Sequence, residues 1–233
     1  NKSSSDRKMP LIADGCSNII FEYSNNDFNG YLIGSTLQTS EFMAKKNSDY
    51  FGIRLQPSAN VRLSDLNLKE IVNKKLNMNE SVELKDFMDS MSEKQDFDSR
   101  IDLFLDKYLK KDLQSASNQE ILFEQISNII IERKGLIKIS ELEKLSGYTA
   151  RYINKIFENK LGMSAKQLCK TVKFQFLIND MNMGSYKTFT SLASEYQFYD
   201  QAHFIHEFKE YAGCTPSEYS NKIITSQYNV VNI

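Results

Sequence analysis

The 233 residues predict an α+β chain: a small β-rich N-terminal domain plus helices, then an all-α C-terminal domain with two helix-turn-helix units joined by a long helix. Three observations carry this prediction. Residues 18–57 alternate short runs of Ile, Phe and Tyr with clusters of turn formers. From residue 64 onward the apolar spacing changes to three and four, the period of a helix. Within the helical part, two segments about 51 residues apart repeat one plan.

The strands come first. "NIIFEY" (18–23) and "YLIGST" (31–36) flank the loop "SNNDFNG". "EFMAKK" and "DYFGIRLQP" follow, split by "NS", and Pro57 ends the last run. Ser64 is then placed to cap "DLNLKEIVNKKL", a predicted helix over 65–76. "VELKDFMDSM" and "FDSRIDLFLDKYLKK" continue with helical spacing. In the latter Phe97, Ile101, Phe104, Leu105 and Tyr108 form one apolar stripe. The polar "DLQSASN" marks a linker over 113–118, so the domains are predicted as 1–112 and 119–225. Beyond the linker lies an amphipathic helix, "QEILFEQISNIIIERKG", ending at Gly135. Two helices flank "SGYT". A long helix opens at the capping Ser164 and runs for about 27 Å at roughly 1.5 Å per residue. Two helices flank "YQFYD", and a last one opens at Thr215-Pro216.

Totals narrow the function. The net charge is −1, with 29 Lys+Arg against 30 Asp+Glu, so any basic face must be local. No apolar run approaches the roughly 18 residues a membrane helix needs, and the polar opening "NKSSSDRKMP" holds no signal-peptide core. The chain starts at Asn1 rather than Met, as a processed or partial N-terminus would. The three cysteines, Cys16, Cys169 and Cys214, are dispersed and odd in number, which predicts a reducing cytoplasm and buried, inert thiols. No phosphate-binding Gly-rich loop, nucleophile motif or paired-carboxylate signature is present. Neither enzyme activity nor a cofactor is expected.

The repeat is the most informative feature. "KISELEKLSGYTARYINKIFENKLGMS" and "TFTSLASEYQFYDQAHFIHEFKEYAGCTP" each hold a short helix, a tight turn and a longer helix ending in Gly, at Gly162 and Gly213. That is helix-turn-helix spacing twice, with units at about 139–160 and 188–212. The long helix between them suits a separation near one DNA turn, about 34 Å. With "LSGYTARYINKIFENKLGMSAKQL" and the closing Phe208-Lys209, Gly213, Thr215-Pro216 and Tyr219, residues 119–220 resemble the DNA-binding domain of AraC/XylS-family transcription regulators. "ADGCSNIIFEY", "GYLIGS" and "FGIRLQPSA" resemble a sensor domain found ahead of such regulators. This implies a cupin-like or related sheet domain. The chain departs from the family at several positions. The family favours Arg or Gln where this chain has His206 and Ala202. Gln197-Phe198 replaces Gly-Phe, which predicts a looser second turn. Lys173-Phe174 replaces Arg-Leu, and Leu177 replaces Ala.

The resemblance implies a DNA-binding regulator controlled by a ligand or partner at its N-terminal domain. The alternative is a protein-interaction regulator of the same fold with weak DNA affinity, suggested by the 12 basic and 12 acidic residues of 119–220. Expected partners are double-stranded DNA, a small-molecule or peptide effector and RNA polymerase, with a homodimer as one arrangement. The first reading face is Thr149, Arg151, Asn154 and Lys155, where Arg and Lys suit guanine or phosphate and Asn suits adenine. The second is Gln201, His203 and His206. Thr215 and Ser217 stand at a helix start, where free N–H groups suit phosphate. Each face competes with a plain solvated surface, and His203 and His206 compete with a metal pair completed by Glu207 and Glu210, or a catalytic pair. In the β-rich part, Phe21, Tyr23, Tyr31, Phe51 and Arg54 are the candidate ligand residues, against the alternative of an ordinary aromatic core.

Overall fold

The computed structural model describes residues 5–11, 13–25, 27–57, 68–108 and 117–225. The N-terminal part is built on a four-stranded antiparallel sheet of order β5-β2-β3-β6, from β2 (Ser17–Tyr23), β3 (Phe28–Ile33), β5 (Asp49–Leu55) and β6 (Lys75–Asn77). A two-stranded ribbon pairs β1 (Arg7–Leu11) with β4 (Ser40–Ala44). Side chains alternate across the sheet. One face carries Ile19, Phe21, Leu32 and Phe51 into a core closed by Phe87, Met88 and Met91 of α2 (Lys85–Ser92) and by Phe104 and Tyr108 of α3 (Phe97–Tyr108). Gly30 lies opposite Phe21 because a Cβ there would sit 2.8 Å from Met88 Sδ. On the other face Ile20, Ile33, Tyr31 and Tyr50 meet Phe42 and Ala44 of the ribbon. There the buried carboxylate of Glu22 accepts from Ser48 Oγ (3.1 Å), Tyr50 Oη (3.0 Å) and Lys45 Nζ (3.1 Å), so it is fully satisfied despite its burial.

Several predicted elements change. Of the helix predicted over 65–76, residues 65–67 lie outside the described residues, Leu68–Ile71 form α1, and the residues after it turn back as β6 on the sheet edge. The cap at Ser64 lies outside the described residues, as do 113–116 of the linker. Ser117 and Asn118, counted with the linker, instead cap and open α4 (Asn118–Glu132). Phe97 is exposed rather than part of the buried stripe, although its ring still meets Phe51 edge-on at 5.6 Å. β1 has no counterpart in the sequence reading.

The C-terminal part is all helical: α4, α5 (Ile139–Ser146), α6 (Ala150–Leu161), α7 (Ala165–Met183), α8 (Phe189–Glu195), α9 (Gln201–Ala212) and α10 (Pro216–Thr225). Among the described residues no helix is long and apolar enough to cross a membrane. The central α7 divides two cores. Its Leu168, Cys169 and Val172 join Ile126, Ile153 and Phe157. Its Phe174, Leu177 and Ile178 join Leu192, Tyr196, Phe204 and Phe208. Leu177 is thus absorbed as core. Burial pushes the thiols of Cys16 and Cys169 up to about 12, so neither ionises at neutral pH. Cys214 is half-buried.

The two parts are joined by loops of the sheet. Ser35 Oγ donates to the Leu161 carbonyl at the end of α6 (2.8 Å), and Thr39 N–H donates to the Tyr211 carbonyl near the end of α9 (3.0 Å). Gln175 of α7 donates through Nε2 to the Ala13 carbonyl. Ala13 is buried in the second core, and Gly15 lies against Leu168, Thr171 and Met163. The Asp14–Arg54 ion pair ties this loop back to β5, and the Asp14 carboxylate also accepts from Cys16 N–H (2.7 Å).

Candidate DNA interface

Each helix-turn-helix unit is set by caps. In the first, α5 ends at Gly147, whose φ of 74 reverses the chain without a Cβ penalty. Thr149 then caps α6, its hydroxyl accepting Tyr152 N–H, and Glu143 accepts Ala150 N–H (2.6 Å). In the second, Thr188 and Ser191 form a capping box on α8, and Asp200 caps α9 by accepting His203 N–H (2.7 Å). The second turn is not looser than the first. Gln197 takes the left-handed conformation itself, at φ 55, with Gln197 N–H bonded to Ser194 O (3.1 Å) and Phe198 N–H to Ala193 O (2.9 Å). A non-glycine residue there carries a strain of roughly 1–2 kcal/mol.

The offset of about 51 residues is obeyed in three dimensions. Ile153 and Phe157 of α6 correspond to Phe204 and Phe208 of α9, all buried. Tyr148 and Tyr199, just ahead of the two reading helices, are both exposed, at 45% and 92%. At one shared core position the chemistry changes. Where α6 buries Ile156, α9 buries Glu207, only 6% exposed. Its carboxylate meets Lys173 Nζ at 3.1 Å, Lys170 Nζ at 3.9 Å and His203 Nε2 at 3.3 Å. The Lys173 ammonium also lies 3.8 Å from the Phe198 ring centre. Burial lowers the Lys173 pKa from its usual value, against the opposing pull of Glu207. Sequence reading placed Glu207 on the surface. Its signal was available in the repeat, which sets it at a core position.

The predicted reading residues divide into free and engaged ones. Arg151, Lys155 and His206 are exposed on their helices. Gln201 is exposed and accepts from Thr190 Oγ1 (3.3 Å). Asn154 is half-buried, and its Oδ1 accepts Ala165 N–H (3.2 Å), so it ties α6 to the first turn of α7. His203 is held at the base of α9: it packs edge-on against Phe198, faces Glu207, and accepts Tyr199 N–H on Nδ1 (3.4 Å). His203 and His206 share a side of α9, but the first bonds within the protein. No group of three or more His, Cys, Asp or Glu placed to hold a metal ion occurs among the described residues. Thr215 makes a capping box with Glu218, its hydroxyl accepting Glu218 N–H (3.3 Å), and Ser217 is exposed as the second residue of α10.

The five candidate ligand residues do not line one pocket. Phe21 and Phe51 are buried in the sheet core, and Tyr23 joins them by donating to the Met91 carbonyl (3.0 Å) and lying under the Arg100 guanidinium. Tyr31 belongs to the opposite face, where its hydroxyl donates to Glu22 (3.3 Å). Arg54 is taken by Asp14. Alternation within each strand and the register between strands separate the five: Phe51 pairs with Phe21 on the core face, while Tyr31 pairs with Ile20 and Arg54 with Asn18 on the other.

Comparison with known proteins agrees with this architecture. Residues 142–222 match the family model of a helix-turn-helix domain, and residues 1–77 match a domain of unknown function (DUF6597). Residues 142–222 therefore carry a helix-turn-helix domain, preceded by a separate domain type. Among solved structures, the chain is similar to ToxT from Vibrio cholerae O395, with a TM-score of 0.48 and 15% identity over 97% of this chain and 96% of that one. It is also similar to a 1.65 Å structure of ToxT from Vibrio cholerae, at 0.45 and 14% over 94% and 96%. A third is unsaturated fatty acid bound ToxT from strain SCE256, at 0.44 and 13% over 94% and 96%. No curated protein sequence matches.

Proposed function

We propose that the chain is a cytoplasmic transcription regulator of AraC type. It reads double-stranded DNA with α6 and α9 and is governed through its N-terminal domain by a small molecule, peptide or protein partner. The observation that carries the reading is the short loop from Ser35 to Thr39. It bonds the carbonyl ends of both reading helices from one piece of the sheet domain. A change in that domain therefore bears on both readers at once, which is the coupling a controlled regulator needs. The mechanism is a shift in how the two helices are presented, and no chemical step is involved. RNA polymerase contact and a homodimer fit this reading as further partners.

The test is a gel shift on genomic fragments at two salt concentrations. A specific fragment should be bound below about 1 μM at low salt, with affinity falling as salt rises. Arg151→Ala should cost about 1–3 kcal/mol on that fragment and relax one base position, because Arg151 is an exposed, unspent guanidinium on α6. If no fragment is held more tightly than bulk DNA, the protein-interaction reading takes over, as the even balance of 12 basic and 12 acidic residues over 119–220 would then explain.

A further inference from the structure

A recess of about 390 Å³ opens on the C-terminal domain, away from the exposed residues named above on the reading helices. One wall is the turn after α4 and the start of α5: Gly135, Ile137, Lys138 and Ile139. The other is a stripe along α7: Lys166, Cys169, Lys170 and Lys173. The spacing of three and four puts those α7 residues on one side of the helix. The turn lies directly on the helix, since a Cβ on Gly135 would overlap the Cys169 carbonyl and the Lys173 N–H. Four of the eight lining residues are lysines and none is acidic. Two carboxylates stand at its edge: Glu207, reaching in from α9 toward Lys173 and, at a longer 3.9 Å, toward Lys170, and Glu141, which accepts Lys138 N–H (2.9 Å). Two carboxylates against four ammonium groups leave the recess with an excess of positive charge, with Lys170 and Lys173 half-buried.

We propose that this recess is a phosphate-binding site, formed by Lys138, Lys166, Lys170 and Lys173. Lysine serves phosphate as a point charge, and several converging ammonium groups suit a dianion. The volume exceeds a bare ion and admits a phosphate ester with the group that carries it. Two sources supply that chemistry: a backbone phosphate of DNA lying across the domain, or a free phosphorylated small molecule. Either would draw Lys170 away from Glu207. Glu207 is bonded to His203 of the second reading helix, so occupancy of the recess is linked to that helix. Only the DNA source rests on the function proposed above.

The experiment uses the full chain and Lys166→Gln with Lys170→Gln, both side chains lying on the mouth of the recess. Lys85→Gln, on the far domain, controls for loss of charge. Binding of inorganic pyrophosphate is measured by calorimetry without DNA, and binding of a non-specific duplex is measured across salt. If a free anion is the occupant, the parent saturates with pyrophosphate, and the double variant weakens it by roughly tenfold or more. If the DNA backbone is the occupant, the variant flattens the salt slope by about one unit per lysine, and pyrophosphate competes with the duplex. The proposal is overturned if the variant matches the Lys85 control in both arms with its fold intact by circular dichroism. Should the double variant fail to fold, Lys166→Gln alone carries the same two readings. The pyrophosphate arm needs no DNA, so a chain without operator affinity would sink the regulator reading and leave this one standing or falling by itself.

Discussion

Gln197 stands at φ 55 between α8 and α9, in a conformation that favours glycine. Its side chain is exposed, so nothing in the packing rewards the strain. Gln197→Gly should stabilise the fold by about 0.5–1 kcal/mol, the relief of the left-handed strain less the extra entropy glycine loses on folding. Urea unfolding of the two proteins checks this, and an unchanged or lower midpoint would refute it. Single residues are also where sequence reading fell short. The exposure of Arg151, Lys155 and His206 followed from helical spacing alone. The engagement of Asn154 with Ala165 and of Arg54 with Asp14 did not, because each partner lies on another element or on a turn whose course the spacing does not fix, and that of His203 with Glu207, four apart on α9, did not because it depends on the burial of Glu207. Glu207 was misplaced because a carboxylate on an amphipathic helix normally faces water. Here two lysines of α7 and a histidine of its own helix offset its burial.

The capping box that opens α4 also holds a reading helix. Glu120 accepts Ser117 N–H (2.9 Å) and receives the ammonium of Lys160 from the last turn of α6 (2.9 Å). The Lys160 ammonium first, and then the Ser117 donors, hold its carboxyl well below the usual carboxylate range. A lowered folded pKa adds stability above the ordinary value, near 4.3, and that stability is lost as pH falls through this region and below. Glu120→Gln should therefore cost about 1–2 kcal/mol at neutral pH, and the gap to the parent should narrow as pH falls below about 4. Thermal melts over that range test the sign; a gap that widened in acid would refute it. At this scale the sequence was most legible where a rule is local. β2, β3, β4 and β5 follow from alternation and turn formers, and Ser164, Thr215, Gly162 and Gly213 from capping chemistry. β1 escaped because "RKMPL" contains a proline and no alternation, and it is a strand only because β4 lies beside it. β6 escaped because three residues, "KLN", carry no period, and pairing with β3 decides their state.

Across the whole molecule, the sheet domain touches the reader at several places, among them α1 and Ser35 on α6, Thr39 on α9, Gly15 on the first half of α7 and Ala13 on its second half. The two cores of the reader are both completed from outside, since Leu37 packs on the first and Ala13 lies within the second. Domain order was readable from the repeat and the change of period, but this docking was not, because it depends on loops whose sequences obey no pattern. Residues 117–225 produced alone should unfold at a lower temperature than the same helices in the full chain. They should also form open-ended, concentration-dependent aggregates by light scattering, while the full chain goes no further than a dimer. Equal midpoints and a monodisperse fragment would refute this. The small residues of the loop 13–16 thus have a second consequence, in colloidal rather than regulatory terms. Ala13 and Gly15 cover apolar ground on Leu168, Met163 and the Phe174 cluster that water would otherwise meet, so the sheet domain keeps its neighbour in solution.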